Sequence, residues 1–175
     1  MSLHNKGTIP ALSAWMAAAL LAVTPAHGFD LQSGEPITIN ADSGRMDDTR
    51  GIATYSGDVV VTQGTTRLSA DRVMLYRDEG ELSRIEASGR PARYQQPTEA
   101  GKGETDAQAL SITYASRDGL LILEQEAVIK QDGNLFRGDI IHYDTAQRVV
   151  TAEGTTREDN SKGRIEIIIQ PRPQN

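Results

Sequence analysis

The chain has 175 residues, of which 24 are Asp or Glu and 18 are Lys or Arg, so its net charge is −6 at pH 7. It contains no cysteine, which excludes a disulfide scaffold, thiol catalysis and thiolate metal sites. The acidic balance argues against a nucleic-acid partner, because binding to phosphates requires a basic face. Because the chain has no cysteine, its fold must be held by backbone pairing and apolar burial alone.

The first 28 residues have the pattern of a secretory signal peptide. Lys6 supplies a positive start, an apolar run extends from Ala11 to Val23, and Ala26-His27-Gly28 places small residues where a signal peptidase cleaves. The run is short for a transmembrane helix, and a retained anchor is the alternative. We expect residues 1–28 to be removed on export, leaving a domain over 29–170 and a short tail at 171–175 in the compartment beyond the inner membrane.

After residue 28 apolar and polar residues alternate with a period of two, which is typical of β-strands. Turn-forming residues interrupt the alternation about every 8 to 12 residues, the spacing of a sandwich or roll. Among them are Asp118-Gly119 and Asp132-Gly133, in which glycine accepts positive φ. No later window shows a helical stripe. We therefore predict an all-β domain with little or no helix, whose alternating stretches include 36–41, 68–75, 110–114 and 165–169.

Two segments interrupt this pattern. Gln95 to Thr105 is polar and contains one proline and two glycines, so we predict a long flexible loop there. Near the end of the chain, Glu158 to Gly163 is a similar polar break, and the apolar stretch Ile165 to Ile169 after it predicts a last strand. Pro171 follows it and would stop further pairing.

An internal repeat organises these strands. Residues 39–75 recur without a gap at 107–143, an offset of 68 residues, so that Leu68 falls on Phe136. A small residue, usually followed by Asp, also recurs at shorter intervals. Repeated strand units predict a stacked architecture with a long interior and two exposed edges. This shorter repeat appears at Ala41-Asp42, Ala70-Asp71, Ala109-Leu110 and Gly138-Asp139.

Catalytic and metal-binding constellations are absent from this pattern. His142 lacks the nucleophile and orienting acid that a triad needs. Asp42, Asp71 and Asp139 resemble paired acids for glycoside cleavage, but their recurrence favours a structural role at a strand start or turn. We expect no cofactor. The alternatives left open are an exported β-fold enzyme acting on an envelope polysaccharide and a filament-forming scaffold.

The interior and the edges are the remaining functional clues. One apolar face per strand encloses either a plain core or a groove for a long apolar ligand. The first predicted strand, Ile37 to Ala41, and the last, Ile165 to Ile169, would have edges able to pair with other chains, head to tail. Alternation assigns the following residues to the interior face: Val59, Val61, Leu68, Leu75, Leu121, Leu123, Phe136, Ile141 and Tyr143.

At this level of detail the chain resembles the LptA/OstA-like family of periplasmic lipopolysaccharide-transport proteins. The matching residues include 35–42, 89–94, Gly138-Asp139 and Tyr143-Asp144, and the most specific run is Gly57 to Gly64 followed by Ala70-Asp71. The resemblance covers essentially the whole chain. It implies a twisted, incompletely closed β-jelly roll and a protein that is not an enzyme. It also implies that lipopolysaccharide moves along an apolar groove of this protein in the periplasm.

The resemblance also implies sites and partners. Acyl-chain contacts would fall on Ile37, Ile39, Tyr94 and Tyr114, and a basic residue of the site on Arg77. Like domains would join end to end between an inner-membrane complex containing LptC and the outer-membrane assembly of LptD and LptE. LptC would meet the N-terminal edge and LptD the C-terminal edge. The absence of a barrel region and of a retained anchor favours the exported bridging member of the family, and the interface residues would be Ile37, Thr38, Ile39, Ile165, Ile167 and Ile169.

Overall fold

The computed structural model describes residues 29, 34–97, 104–155 and 163–171. Within these ranges the chain forms ten β-strands and no helix, so it contains no helix that is long and apolar enough to cross a membrane. The predicted signal peptide and all of the tail except Pro171 lie outside the described residues. The strands are β1 (Thr38–Asn40), β2 (Ser43–Asp47), β3 (Ile52–Gln63), β4 (Thr66–Asp78), β5 (Glu81–Gln96), β6 (Thr105–Ala115), β7 (Leu120–Gln131), β8 (Asn134–Asp144), β9 (Val149–Glu153) and β10 (Glu166–Ile168).

All ten strands belong to one antiparallel sheet. Its path is β1-β3-β4-β5-β6-β7-β8-β10, with β2 beside β3 and β9 beside β8. From β3 to β8 each strand pairs with the next one in sequence, and the predicted turns at Asp118-Gly119 and Asp132-Gly133 join β6 to β7 and β7 to β8. The strands at the two ends of the path do not pair with each other. This sheet confirms the predicted all-β, incompletely closed architecture.

A line of register shifts crosses the sheet midway along its long strands. Shifts occur in neighbouring ladders, between Ser56 and Val59 in β3 and between Glu124 and Ala127 in β7, with others in the strands between them. The backbone has positive φ at Gly57, Asp58, Gln125 and Glu126 along this line. Because bulges bend strands and increase their twist, the sheet folds along the line into two half-sheets. Their apolar faces pack against each other in one hydrophobic cluster.

The 68-residue repeat corresponds strand by strand to this sheet. Residues 52–63 of β3 fall on 120–131 of β7, and the start of β4 falls on the start of β8. The continuous strand β6 corresponds to β1 and β2 together, which are separated at Ala41-Asp42. In the same way β9 and β10 both pair with β8, as the two parts of β5 pair with β4. The domain is therefore built from two similar sheet units.

The structure corrects three details of the sequence prediction. Asp42 precedes β2 as expected, but Asp71 and Asp139 lie inside β4 and β8, because the bulge line crosses those strands without ending them. The predicted loop is shorter than 95–105, because Gln95 pairs with Asp106 and Gln96 with Thr105; of the remaining residues 97–104, 98–103 lie outside the described residues. The two edge strands are shorter by one residue at each end than the predicted 37–41 and 165–169.

Candidate functional site

A row of apolar side chains crosses the half-sheet that contains β1 and β10, which we call the first half-sheet, from one edge to the other. Its central members are 1% exposed or less, whereas Ile39 at one edge is partly buried and Ile167 at the other is 47% exposed. The row therefore stays apolar to both edges of the sheet and is open at both. In order of pairing across the strands, its members are Ile39, Val61, Leu68, Tyr94, Ala107, Ile129, Phe136 and Ile167.

Two similar rows line the facing half-sheet. Alternation places their members on one side of the strands, and the adjoining residues point outward. Together the three rows form a continuous apolar interior between the half-sheets, which we call the groove. The facing rows are Tyr55, Val73, Ala87, Ile112, Leu123, Ile141 and Ala152, and Ala53, Leu75, Ile85, Tyr114, Leu121, Tyr143 and Val150.

The structure brings nearly all of the predicted lipid contacts together in the groove. Every one of them except Arg77 is either in the buried cluster or packed against it. Arg77 is exposed at the end of β4, where its guanidinium lies 3.8 Å from an Asp48 carboxylate oxygen. The apolar members are Ile37, Ile39, Val59, Val61, Leu68, Leu75, Tyr94, Tyr114, Leu121, Leu123, Phe136, Ile141 and Tyr143.

Several groove residues were not predicted from the sequence. The 68-residue offset places Ile129 on Val61, so the repeat contained the signal for Ile129. Ile112 lies in an alternating stretch and has the spacing of an interior residue. Phe29 belongs to no strand, and no pattern in the sequence marks it.

The groove opens into a cavity of about 1030 Å³. Its apolar base includes Ile37, Leu82 and Tyr114, and the turns that follow β4, β6 and β8 form its rim. The rim is acidic. Among the described residues that line it there is one arginine, Arg117, which is paired with Asp78 at 2.9 Å, and the carboxylates are Glu35, Asp78, Glu79, Glu81 and Asp118. The described part of this opening would therefore attract an anionic ligand through its apolar base and not through the charge of its rim.

Near β8 the two half-sheets are joined. The Arg148 guanidinium donates to both carboxylate oxygens of Asp132 at 3.0 Å, which connects the β8–β9 turn to the β7–β8 turn. Below this pair, the Tyr143 hydroxyl lies 3.3 Å from the Thr105 hydroxyl and accepts a hydrogen bond from the Gln131 amide. These contacts close the long side of the groove between the β7–β8 turn and the β8–β9 turn. Elsewhere on that side the groove is open at the cavity.

Tyr94 carries a polar group into the middle of the groove. Its hydroxyl donates to the Gln96 side-chain oxygen at 3.0 Å. Burial raises the pKa of Tyr94 well above its usual value, and the nearby Tyr114 and Tyr143 raise it further. Tyr94 is therefore a neutral donor at physiological pH.

The residues weighed as catalytic groups occupy structural positions. Asp139 accepts hydrogen bonds from the Thr155 backbone N–H at 2.9 Å and from its hydroxyl at 3.1 Å. His142 is half-buried and alternates with the interior residues Ile141 and Tyr143, so it lies on the outer face. Within the described ranges, no group of His, Cys, Asp and Glu side chains could hold a metal ion.

Comparison with known proteins gives a consistent result. Residues 38–149 match the family described as "LptA/(LptD N-terminal domain) LPS transport protein". The lipopolysaccharide export system protein LptH of Pseudomonas aeruginosa is 38% identical over 141 residues, which cover 79% of this chain and 81% of LptH. The lipopolysaccharide export system protein LptA of Escherichia coli K12 is 29% identical over 164 residues, covering 85% of this chain and 88% of that protein.

A solved structure shares the fold. The crystal structure of LptH, described as the LptA-homologous periplasmic component of the lipopolysaccharide transport device of Pseudomonas aeruginosa, superimposes with a TM-score of 0.71 at 38% identity. The match covers 78% of this chain and 96% of that chain. The fold is therefore shared with a relative of known structure.

Proposed function

The chain belongs to the LptA/LptD N-terminal-domain family of lipopolysaccharide transport proteins, and we propose that it carries lipopolysaccharide through the periplasm with the acyl chains held in the groove. It is a transport component and not an enzyme. The observation that carries this proposal is the apolar row from Ile39 to Ile167, which crosses the domain and opens at both edges.

The energetics of apolar burial favour this use of the groove. Each buried methylene contributes about 0.8 kcal/mol, so an acyl chain of about 12 carbons offers roughly 10 kcal/mol before ordering costs. This free energy of burial does not depend on charge, so an acidic protein can hold an anionic lipid by its acyl chains. We propose that the thirteen apolar residues predicted from the sequence contact the acyl chains. Arg77 is exposed at the end of β4, so its proposed role is with the polar part of the lipid.

We further propose that the two edges of the sheet extend the groove between molecules. Within the described residues, β1 and β10 end the pairing path, and a strand from another chain can add to each by backbone hydrogen bonding. LptC would add at the edge that contains Ile37, Thr38 and Ile39. LptD of the LptD–LptE assembly, or a further copy of this chain, would add at the edge that contains Ile165, Ile167 and Ile169.

In-cell photo-crosslinking tests the groove. A photo-reactive amino acid at Ile39 or at Phe136 should capture lipopolysaccharide, because both side chains lie on the interior row. The matched controls are Thr38 and Leu135, the preceding residues on the same strands, whose side chains alternate to the outer face.

Capture at Thr38 and Leu135 as efficient as at the interior positions would contradict the groove. Absence of lipid capture at all four positions, with capture of other protein chains at the edges, would favour the filament-forming scaffold.

A further inference from the structure

Phe29 lies in the groove although it belongs to no strand. Its side chain is 1% exposed. The ring packs edge-to-face on Tyr94 at a centroid distance of 6.1 Å and on Tyr114 at 5.8 Å. The Tyr114 hydroxyl donates to the Phe29 carbonyl at 2.5 Å. Phe29 is therefore held by ring contacts and by a hydrogen bond from a groove residue.

The position of Phe29 is informative because it lies between the two half-sheets. Tyr94 comes from the first half-sheet and Tyr114 from the second, and Phe29 bridges them where the groove meets the cavity. The side chains of the sheet leave this space for a residue from outside the sheet. An apolar space between two aromatic side chains, next to an open cavity, has the features of a ligand subsite.

We infer that Phe29 fills the subsite that a lipid acyl chain takes, so that the acyl chain displaces Phe29 when it binds. This inference rests on the proposed function and adds a residue of the chain itself that competes with the acyl chain for the space between Tyr94 and Tyr114. The Phe29 ring and an alkyl chain are both apolar and compete for the same space, and displacement of Phe29 also breaks the hydrogen bond from the Tyr114 hydroxyl to its carbonyl. The alkyl chain buries more surface along the groove, whereas Phe29 fills only its entrance. Only molecules in which the subsite is free of Phe29 can bind lipid there, so the larger the fraction in which Phe29 occupies it, the weaker the apparent affinity for lipid.

A single tryptophan at position 29 reports this displacement. The chain has one tryptophan, Trp15, so the full chain with Trp15→Phe and Phe29→Trp carries its only tryptophan at the subsite, whether or not the first residues are removed on export. Without ligand, the emission should be that of a buried indole and should be weakly quenched by acrylamide. Purified lipopolysaccharide should shift the emission to longer wavelength and raise quenching severalfold, whereas its deacylated saccharide should do neither.

Binding is followed separately by co-sedimentation of the protein with lipopolysaccharide, so the two proposals fail in different ways. If lipopolysaccharide binds and the tryptophan stays buried and protected, the displacement is wrong and the proposed function stands. If lipopolysaccharide does not bind at all, the proposed function fails, and this inference fails with it.

The two phenylalanines of the chain provide an independent test. Phe29→Ala should bind lipopolysaccharide about tenfold more tightly, because the competing occupant is removed. Phe136→Ala should bind more weakly, because that ring belongs to the interior row and is proposed to contact the lipid. Unchanged or weaker binding by Phe29→Ala would overturn the displacement and would instead make Phe29 a contact of the bound lipid or a simple core residue.

Discussion

The tyrosines of the groove combine an apolar ring with a hydroxyl that needs a partner. Tyr94 donates to Gln96, Tyr114 donates to the Phe29 carbonyl, and Tyr143 lies within reach of Thr105 and Gln131. Each ring adds to the apolar wall while its hydroxyl is satisfied within the protein. At Tyr94 and Tyr143, whose hydroxyl partners belong to the strands of the sheet, the groove can therefore present aromatic rings to an acyl chain without leaving the hydroxyls unpaired.

Tyr94 should make the fold less stable at alkaline pH. Because burial raises its folded-state pKa well above the usual value of 10.0, the unfolded chain ionises first. The stabilisation is complete below about pH 10 and is lost as the pH rises from there toward the folded-state pKa. We expect the urea midpoint of the native chain to fall as the pH is raised from about 10 to about 11, and that of Tyr94→Phe to fall less.

At neutral pH Tyr94→Phe should cost about 1 kcal/mol, since it loses one hydrogen bond. The hydrogen bond to Glu86 raises the pKa of Tyr76 too, but Tyr76 is present in both proteins, so the difference between them isolates Tyr94. An equal alkaline loss in the two proteins would refute the assignment.

At the scale of elements, the bulge line gives the sheet its folded form. Gly57 on this line has φ +83, and its carbonyl accepts a hydrogen bond from the Asp42 N–H at 3.1 Å. This contact connects the break between β1 and β2 to the bend of β3. A glycine is required because an added Cβ would collide with the Asp42 side chain.

We therefore expect Gly57→Ala to destabilise the domain by about 2 kcal/mol or more, through backbone strain and the collision together. Gly80 is the matched control. It has φ +87 in the β4–β5 turn, but an added Cβ there meets no atom within 4 Å, so Gly80→Ala should cost only the strain, about 1 kcal/mol. Urea denaturation measures both changes. Equal costs would show that Asp42 moves aside freely.

At the scale of the whole molecule, the junction between the two sheet units is a pattern for contact between molecules. Inside the domain β5 of the first unit pairs with β6 of the second, with Gln95 opposite Asp106. Ile168 is the equivalent of Gln95, because Ile168 pairs with the residue of β8 that the repeat matches to the β4 partner of Gln95. Thr38 is the equivalent of Asp106, because the two positions are 68 residues apart. The same pairing between copies would set Ile168 of one molecule opposite Thr38 of the next.

Cysteine pairs test this register, and the native chain contains no cysteine that could interfere. A mixture of Ile168→Cys and Thr38→Cys chains should form a disulfide dimer under mild oxidation, because directly opposed residues lie within disulfide range. The control mixture, Ile168→Cys with Asn40→Cys, puts the thiols two residues out of register, about 7–8 Å apart on the diagonal. It should form much less dimer on a non-reducing gel. Similar yields from both mixtures would argue against the proposed register.

Much of the groove could be predicted from local sequence. Alternation identified Leu68, Leu123 and Ile141 as interior residues, and each is 1% exposed or less. The side on which a strand residue points follows from backbone geometry alone, so it can be read without knowing the partner strand. Arg77, which the resemblance adds as a basic residue of the site, is exposed at the end of β4, and its contact with the lipid stays a prediction.

The sequence by itself determined the strands, their two faces and the two-unit repeat, because these depend on local period and on comparison of the chain with itself. Only the tertiary structure decided how the sheet folds along its bulges, that Arg148 and Asp132 join the half-sheets near β8, and that Phe29 fills the space between Tyr94 and Tyr114. These features arise from contacts between residues far apart in the chain. Their geometry depends on the summed bend and twist of many strands, which no local pattern records.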